Sequence, residues 1–349
     1  MFVEIVLTKL AGSTKTWWPA EALIKEVELE IGGQRIDKHN ATFFRIFNEL
    51  FRKDDDKAGY DRLVDFTDDE KTTTTAITRR FYLPLIFFFN RNPGLALPLI
   101  ALQYHEVKLN FTFEGATIMA DCGVKTTSDS DMDVSLFVDY VYLDTDERRR
   151  FAQVSHEYLI TQVQHTGDET ALITGSNQNL RLNLNHPCKY LAWVFANPNK
   201  HGHFAGNATT RDTTSDFLAP LNNAKLQLNG HDRAAQRPGS YYSQTQPWQT
   251  MRAIPQAGVY LYSFALKPDE HQPSGTCNMS RIDNATLVMS YKTQVANTRV
   301  ANVTASIANV ALEGATTQDA ADLTALRLYA ENFNVLRIMS GMGGLAYSN

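Results

Sequence analysis

Ser155-His156-Glu157 carries the residue types of a nucleophile, a base and an orienting carboxylate in one run. Neighbours on an extended chain point to opposite faces, so the three cannot pass a proton in relay, and the run reads as solvated strand. His201-Gly202-His203 sets two imidazoles on a loop where they could share a metal ion, yet no third ligand lies close in sequence. The acidic clusters Asp54-Asp55-Asp56 and Asp68-Asp69-Glu70 lack the alternate spacing and the glycine of a calcium loop, and read as solvated faces. Gly341-Met342-Gly343-Gly344 has no helix after it to present amides to a phosphate, and no G-x-x-x-x-G-K-[ST] occurs. A carboxylate pair for glycoside hydrolysis would come from distant strands, which spacing alone does not register. The residues point to no catalytic group, no metal and no cofactor.

The three cysteines, Cys122, Cys188 and Cys277, lie far apart with no C-x-x-C, so neither a zinc ribbon nor a disulfide framework is suggested. Their odd number fits assembly in a reducing compartment. Six N-x-[ST] sequons occur, at Asn40, Asn110, Asn207, Asn278, Asn284 and Asn302; Asn207, in a polar stretch, is the most loop-like and is the glycosylation candidate. Lysines and arginines number 33 against 38 acids, a net charge of −5, which argues against binding nucleic acid through a basic face. The longest apolar run, Phe81 to Phe89, is broken by Pro84 and is far short of the ~20 residues of a membrane helix, so no insertion is expected. The first residues alternate apolar and polar and carry Glu4, a strand pattern rather than a signal peptide.

The elements that must position all of this are strands. Val27, Leu29 and Ile31 alternate with Glu26, Glu28 and Glu30 before a Gly32-Gly33 turn, and Val107 to Phe113 and Leu180 to Leu184 alternate in the same way. Val134, Leu136, Val138 and Tyr140 are expected to face away from Ser135, Phe137 and Asp139. Tyr190–Phe195 and Val259–Leu266 are apolar on both faces, as in a sheet covered on each side. One helix is predicted where Phe43, Ile46, Phe47, Leu50 and Phe51 share a face, capped by Asn40 or Thr42 and ended by the Asp54–Lys57 charges. Many strands and few helices mean an all-β sandwich or barrel.

A weak repeat organises them. Lys25–Arg35, a strand with its Gly-Gly turn, has a counterpart in Ala224–Arg233 with Asn229-Gly230. Each copy is followed by a polar and aromatic excursion, Ile36–Arg80 and Ala234–Ala257, and then by an apolar strand block. Two β-units joined at the charged stretch Asp144–Arg150 give domains 1–147 and 148–349. The first has less sequence before its turn than the second and reads as N-terminally incomplete.

The block Phe89-Asn90-Arg91-Asn92-Pro93-Gly94-Leu95-Ala96-Leu97-Pro98-Leu99-Ile100-Ala101-Leu102-Gln103-Tyr104-His105-Glu106-Val107 carries no acid, base and nucleophile in working order; Arg91 reads as an ion-pair anchor and Pro93-Gly94 as a turn. It resembles a signature of the double jelly-roll major capsid proteins of nucleocytoplasmic large DNA viruses. Glu28–His39, Tyr262–Asp283 and Asn334–Ala346 resemble that family in the same order along the chain. The resemblance implies two tandem jelly-roll β-sandwiches on one chain, the first lacking its opening strands here. It also implies a homotrimer forming a pseudo-hexagonal capsomer, neighbouring capsomers and minor capsid proteins as partners, and an icosahedral shell around an inner membrane. Assembly is then expected in the infected host cell's cytoplasm, with no enzymatic activity and no direct contact with the genome.

The two excursions are expected to build the upper capsomer and the trimer contacts, with Phe51, Tyr60, Tyr241, Tyr242 and Trp248 as interface anchors, although core packing would use the same residue types. Thr16-Trp17-Trp18-Pro19 is expected near the base of a sandwich. A carbohydrate-binding or glycan-processing β-sandwich is the alternative from another class, and a minor capsid or receptor-binding paralogue the alternative within this one, since fold alone does not set function.

Overall fold

A computed structural model describes residues 1–9, 18–64, 77–115, 132–170, 177–196, 220–255, 258–291 and 325–347. Packing divides the chain into two compact units that are not contiguous in sequence. Met1–Phe44, Ala58–Val163 and Glu331–Asn349 form the first, and Arg45–Lys57 with Gln164–Ala330 the second.

The first unit holds two antiparallel sheets. In one, β1 (Phe2–Lys9) lies between β4 (Ile77–Pro84) and β6 (Met132–Phe137); in the other, β2 (Ile24–Ile31) lies between β3 (Gln34–Asn40) and β5 (Val107–Phe113). Alternation decides what is buried: Val3, Ile5 and Leu7 of β1 and Val27, Leu29 and Ile31 of β2 are core, while Glu26, Glu28 and Glu30 stay wetter. The β2–β3 turn has φ of +58° at Gly32 and +82° at Gly33, the two left-handed positions of a tight hairpin. On the wet face Lys38 of β3 bridges Glu26 at 2.6 Å and Glu28 at 3.3 Å.

Helix α1 (Pro19–Leu23) precedes β2, and Trp18 before it is buried with its Nε1–H donating to Asp61 at 2.8 Å. Helix α2 (Ala41–Phe51) starts where Asn40 Oδ1 accepts from the amide of Phe43 at 2.9 Å, so Asn40 is the cap. Asp54-Asp55-Asp56 does not close the helical region as expected. Those residues open a further helix, α3 (Asp54–Leu63), in whose first turn the carboxylates of Asp55 and Asp56 favour the positive end of the helix dipole. The charged join also folds, as α5 (Thr145–Gln153), after the short α4 (Phe88–Arg91).

The second unit has two sheets around one core. The first sheet orders β11 (His231–Asp232), β10 (Leu221–Leu228), β15 (Ala285–Tyr291) and β8 (Asn177–Leu182), with β12 (Arg237–Pro238) also on β10. In the other, β9 (Pro187–Ala196) lies between β13 (Tyr260–Ser263) and β16 (Ala325–Met339), and β14 (Cys277–Asn278) also pairs with β9. Leu180, Leu182, Leu226, Leu287 and Met289 of one sheet meet Leu191, Trp193, Phe195, Tyr260 and Leu328 of the other. The opposite face of β9 is covered too: Phe51 lies 5.9 Å from Tyr190, ring to ring. That is why β9 is apolar on both faces.

The predicted repeat is visible as pairing. β2 turns through Gly32-Gly33 into β3 and takes β5 on its other side; β10 turns through Asn229-Gly230, at φ +51° and +80°, into β11 and takes β15 on its other side. Two 15-residue strands, β7 (His156–Thr170) and β16, pair with each other and contribute residues to both units, and β17 (Met342–Leu345) returns on β16.

Candidate assembly surfaces

The sequence blocks that carry the resemblance are tied down by hydrogen bonds and an ion pair. In the first unit Arg91 meets the fully buried carboxylate of Glu331 at 2.5 Å, an ion pair closing 240 residues of chain. His105 Nδ1 lies 3.0 Å from the carbonyl oxygen and 3.1 Å from the amide nitrogen of Gly343, the Tyr104 amide donates to Gly341 at 3.0 Å, and the Leu345 amide donates to Gln34 Oε1 at 3.2 Å. Three blocks, 28–39, 89–107 and 334–346, therefore converge. Space there is tight, since a Cβ on Gly32 would overlap the His105 ring. In the second unit the amides of Phe264 and Ala265 donate to Lys189, and that of Met279 to His186.

The chemistry-bearing runs are engaged elsewhere. His156 Nε2 lies 2.8 Å from the Phe151 carbonyl and Glu157 pairs with Arg337 at 2.8 Å, so Ser155-His156-Glu157 forms no relay. Among the described residues no group of three or more His, Cys, Asp or Glu could hold a metal. His201, His203, Asn207, Thr16, Trp17 and the Asp68–Glu70 cluster lie outside the described residues.

The five aromatic anchors separate by burial. Tyr60 is 4% exposed and donates to Glu21 at 2.6 Å; Tyr242 is 1% exposed and donates to the Ala224 carbonyl at 2.9 Å. Both are held inside the chain. Burial, together with Tyr241 and Tyr262 nearby, pushes the Tyr242 phenol up to about 12, against a smaller opposite pull from Arg237. Phe51 is half-buried, stacked 4.3 Å from Phe47. Tyr241 is half-buried with the Arg237 guanidinium 5.6 Å above its ring. Trp248, on α6 (Gln246–Met251), stands 63% exposed.

A second surface escaped the pattern reading. Leu136, Phe137, Tyr140, Val141 and Tyr142 are all exposed, Tyr142 by 84%. The alternation groups Leu136 and Tyr140 with Val134 and Val138 on one face, but β6 ends at Phe137 and only Val134 and Val138 of that set are half-buried. Among the described residues β6 pairs with β1 alone, so the alternation is not enforced by a neighbour on its other side. The available signal is the apolar run continuing past the strand into Tyr140-Val141-Tyr142, where turn residues would be expected.

Two family models cover the chain: "Major capsid protein N-terminus" matches residues 1–144, and "Large eukaryotic DNA virus major capsid protein" matches residues 147–344. The chain belongs to the large eukaryotic DNA virus major capsid protein family. It is 51% identical over 380 residues to the major capsid protein of Paramecium bursaria Chlorella virus 1, covering 99% of this chain and 84% of that protein. It is 43% identical to that of Pyramimonas orientalis virus, with 99% and 81% covered. The crystal structure of PBCV-1 VP54, fitted into a reconstruction of the virophage Sputnik, superposes with a TM-score of 0.84 at 48% identity over 100% of this chain and 89% of that one. The Faustovirus major capsid protein, at 12% identity and a TM-score of 0.62 over 97% and 77% of the two chains, shares the fold. This capsid-family chain is thus a double jelly roll and a virion shell component, and its signature blocks make their contacts within each unit.

Proposed function

We propose that this capsid protein trimerises into pseudo-hexagonal capsomers that tile an icosahedral shell, with 1–147 and 148–349 as its two sequence modules. The observation that supports this most is the similarity over the whole chain to a protein placed in the PBCV-1 virus capsid, with a TM-score of 0.83. Trp248 and the Leu136–Tyr142 run are large apolar side chains left in water, the kind of surface that association covers. Trp248 is the anchor we assign to contacts between copies, and the half-buried Tyr241 and Phe51 are assigned to packing within the chain. Neighbouring capsomers and minor capsid proteins are the further partners; the genome and the bilayer are not. The role is structural rather than enzymatic, and assembly takes place in the host cytoplasm before the shell leaves the cell.

Native mass spectrometry or light scattering on the purified chain tests the reading. A species near three times 39.2 kDa is expected. A well-behaved monomer at micromolar concentration would overturn the capsomer proposal and favour a glycan-binding sandwich.

A further inference from the structure

Cys188 and Cys277 are separated by about 90 residues in sequence, yet strand register places them directly opposite each other, Cys188 on β9 and Cys277 on β14. The ladder phase fixes how close they come. The next pair is Pro187 with Asn278; proline has no N–H to give, so that pair is the non-hydrogen-bonded one. Where the ladder ends, at the left-handed His186 and the start of the 3-10 turn Met279–Arg281, the Met279 amide donates to the His186 carbonyl at 3.0 Å. Hydrogen-bonded pairs recur at every second position, so Cys188 and Cys277 form one, with Cα atoms about 5.5 Å apart. That Cα separation lies within the disulfide range, while the Cβ atoms of a hydrogen-bonded pair stand about 5 Å apart, slightly wide of it, so closure draws the strands together and leaves a bond that is readily reduced. The two side chains also share a face: Cys188 belongs to the core between the two sheets, and Cys277 packs against that core. Both are free thiols here.

We propose that Cys188 and Cys277 form a redox-sensitive cross-strand disulfide, closed by a small disulfide oxidant and opened by a small thiol. The step balances as thiol–disulfide exchange. Cys277, the half-exposed partner, attacks the oxidant as its thiolate, forming a mixed disulfide and releasing one reduced small thiol. Cys188, after losing its proton to water, displaces the second small thiol from Cys277. The protein dithiol is oxidised by two electrons, and one small disulfide is reduced to two thiols. Burial raises both thiols, that of Cys188, with a lesser contribution from Cys277, up to about 12 and that of Cys277 against an opposite pull from Arg233; Cys188 is fully buried and Cys277 is not, so the first attack falls to Cys277 and ring closure is slow.

The bond has something to hold. β14 is two residues long and follows a loop in which Lys267, Asp269, Glu270 and His271 are exposed. Cross-linking would tie that short strand to β9, a strand buried along almost its whole length, and would close a long loop, the case in which chain-entropy arguments give the largest gain. The thiols suit a chain that folds where thiols stay reduced; the disulfide suits the same chain once outside.

The test uses the full-length folded protein, incubated with oxidised glutathione, quenched by alkylation and mapped by peptide mass spectrometry. Of the three cysteines in the chain, alkylatable thiols should fall from three to one, with Cys188 and Cys277 in one linked peptide and Cys122 alkylated. Dithiothreitol should restore all three, and proteolysis between β13 and β14 should slow several-fold in the oxidised form. Cys277→Ser, at the less buried position, should keep the fold and lose the bond. A stable glutathione adduct on Cys277 with Cys188 still free, a link through Cys122, or no change in thiol count would each overturn the proposal.

Discussion

Arg91 shows what a single residue does when its partner has no water. The Glu331 carboxylate is fully buried and the guanidinium lies 2.5 Å away, while Arg91 itself keeps partial contact with solvent. Removing the cation leaves a buried charge, a change that costs about 3–5 kcal/mol, far more than the intact pair is worth. Arg91→Ala should therefore lower the urea midpoint steeply, and Arg91→Ala with Glu331→Gln should recover part of the loss. Equal midpoints for wild type and Arg91→Ala would refute the argument. Gly32 and Gly33 give a finer comparison, because both have positive φ but only Gly32 abuts His105. Gly33→Ala should cost about 1–2 kcal/mol for the left-handed backbone alone. Gly32→Ala should cost more, and His105→Ala added to it should narrow the gap in thermal unfolding, since the excess is a clash with that ring.

At the scale of elements, the strands were readable wherever one face is dry and the other wet. Glu26, Glu28 and Glu30 announce β2, and the paired left-handed residues announce both hairpins, because period-two burial and turn geometry are local properties. Tyr190–Phe195 was readable as a doubly covered strand, although nothing local says that Phe51 lies on it. Three features were not legible, each for a physical reason. Asp55 and Asp56 suit the first turn of α3 because a helix end attracts negative charge, an effect that looks the same in sequence as a solvated break. The exposed Leu136–Tyr142 run alternates well enough to pass for a buried strand, since periodicity records spacing and not whether a neighbour arrives. The opposition of Cys188 and Cys277 is a matter of long-range register. The core of the second unit also carries a pH prediction. Tyr242 keeps its proton to about 12 where an unfolded tyrosine loses it near 10.0, and burial raises Tyr291 as well. A group held protonated by the fold contributes fully below the unfolded value and loses that contribution as pH climbs through the folded one. Stability should hold up to about pH 10 and fall between there and about pH 12, and Tyr242→Phe should flatten that fall in a series of urea titrations. An unchanged pH slope in the variant would place the loss elsewhere.

For the whole molecule, association is a separate free energy from folding, and the aromatic residues divide between the two. Phe51 covers β9, so Phe51→Ala should destabilise the chain itself, toward the lower end of the roughly 3–5 kcal/mol seen for buried Phe→Ala changes because the ring is only half-buried. Trp248 is 63% exposed and sits on a six-residue helix, where truncation removes little that the isolated chain uses. A tryptophan at the centre of a protein contact is worth about 2 kcal/mol or more, a factor of about 30 in the association constant. Trp248→Ala should therefore leave the unfolding midpoint of the dissociated chain within about 0.5 kcal/mol of wild type. A closed trimer has three such contacts and its midpoint concentration follows the square root of the overall constant, so the concentration at which trimers dissociate should rise by about 100-fold, read by native mass spectrometry across a dilution series. A variant that lost stability and assembly together would place Trp248 with Phe51 as a packing residue. One that lost neither would move the contact to Leu136, Phe137, Tyr140, Val141 and Tyr142, whose exposure leaves them as the other large apolar surface that a neighbouring copy can cover.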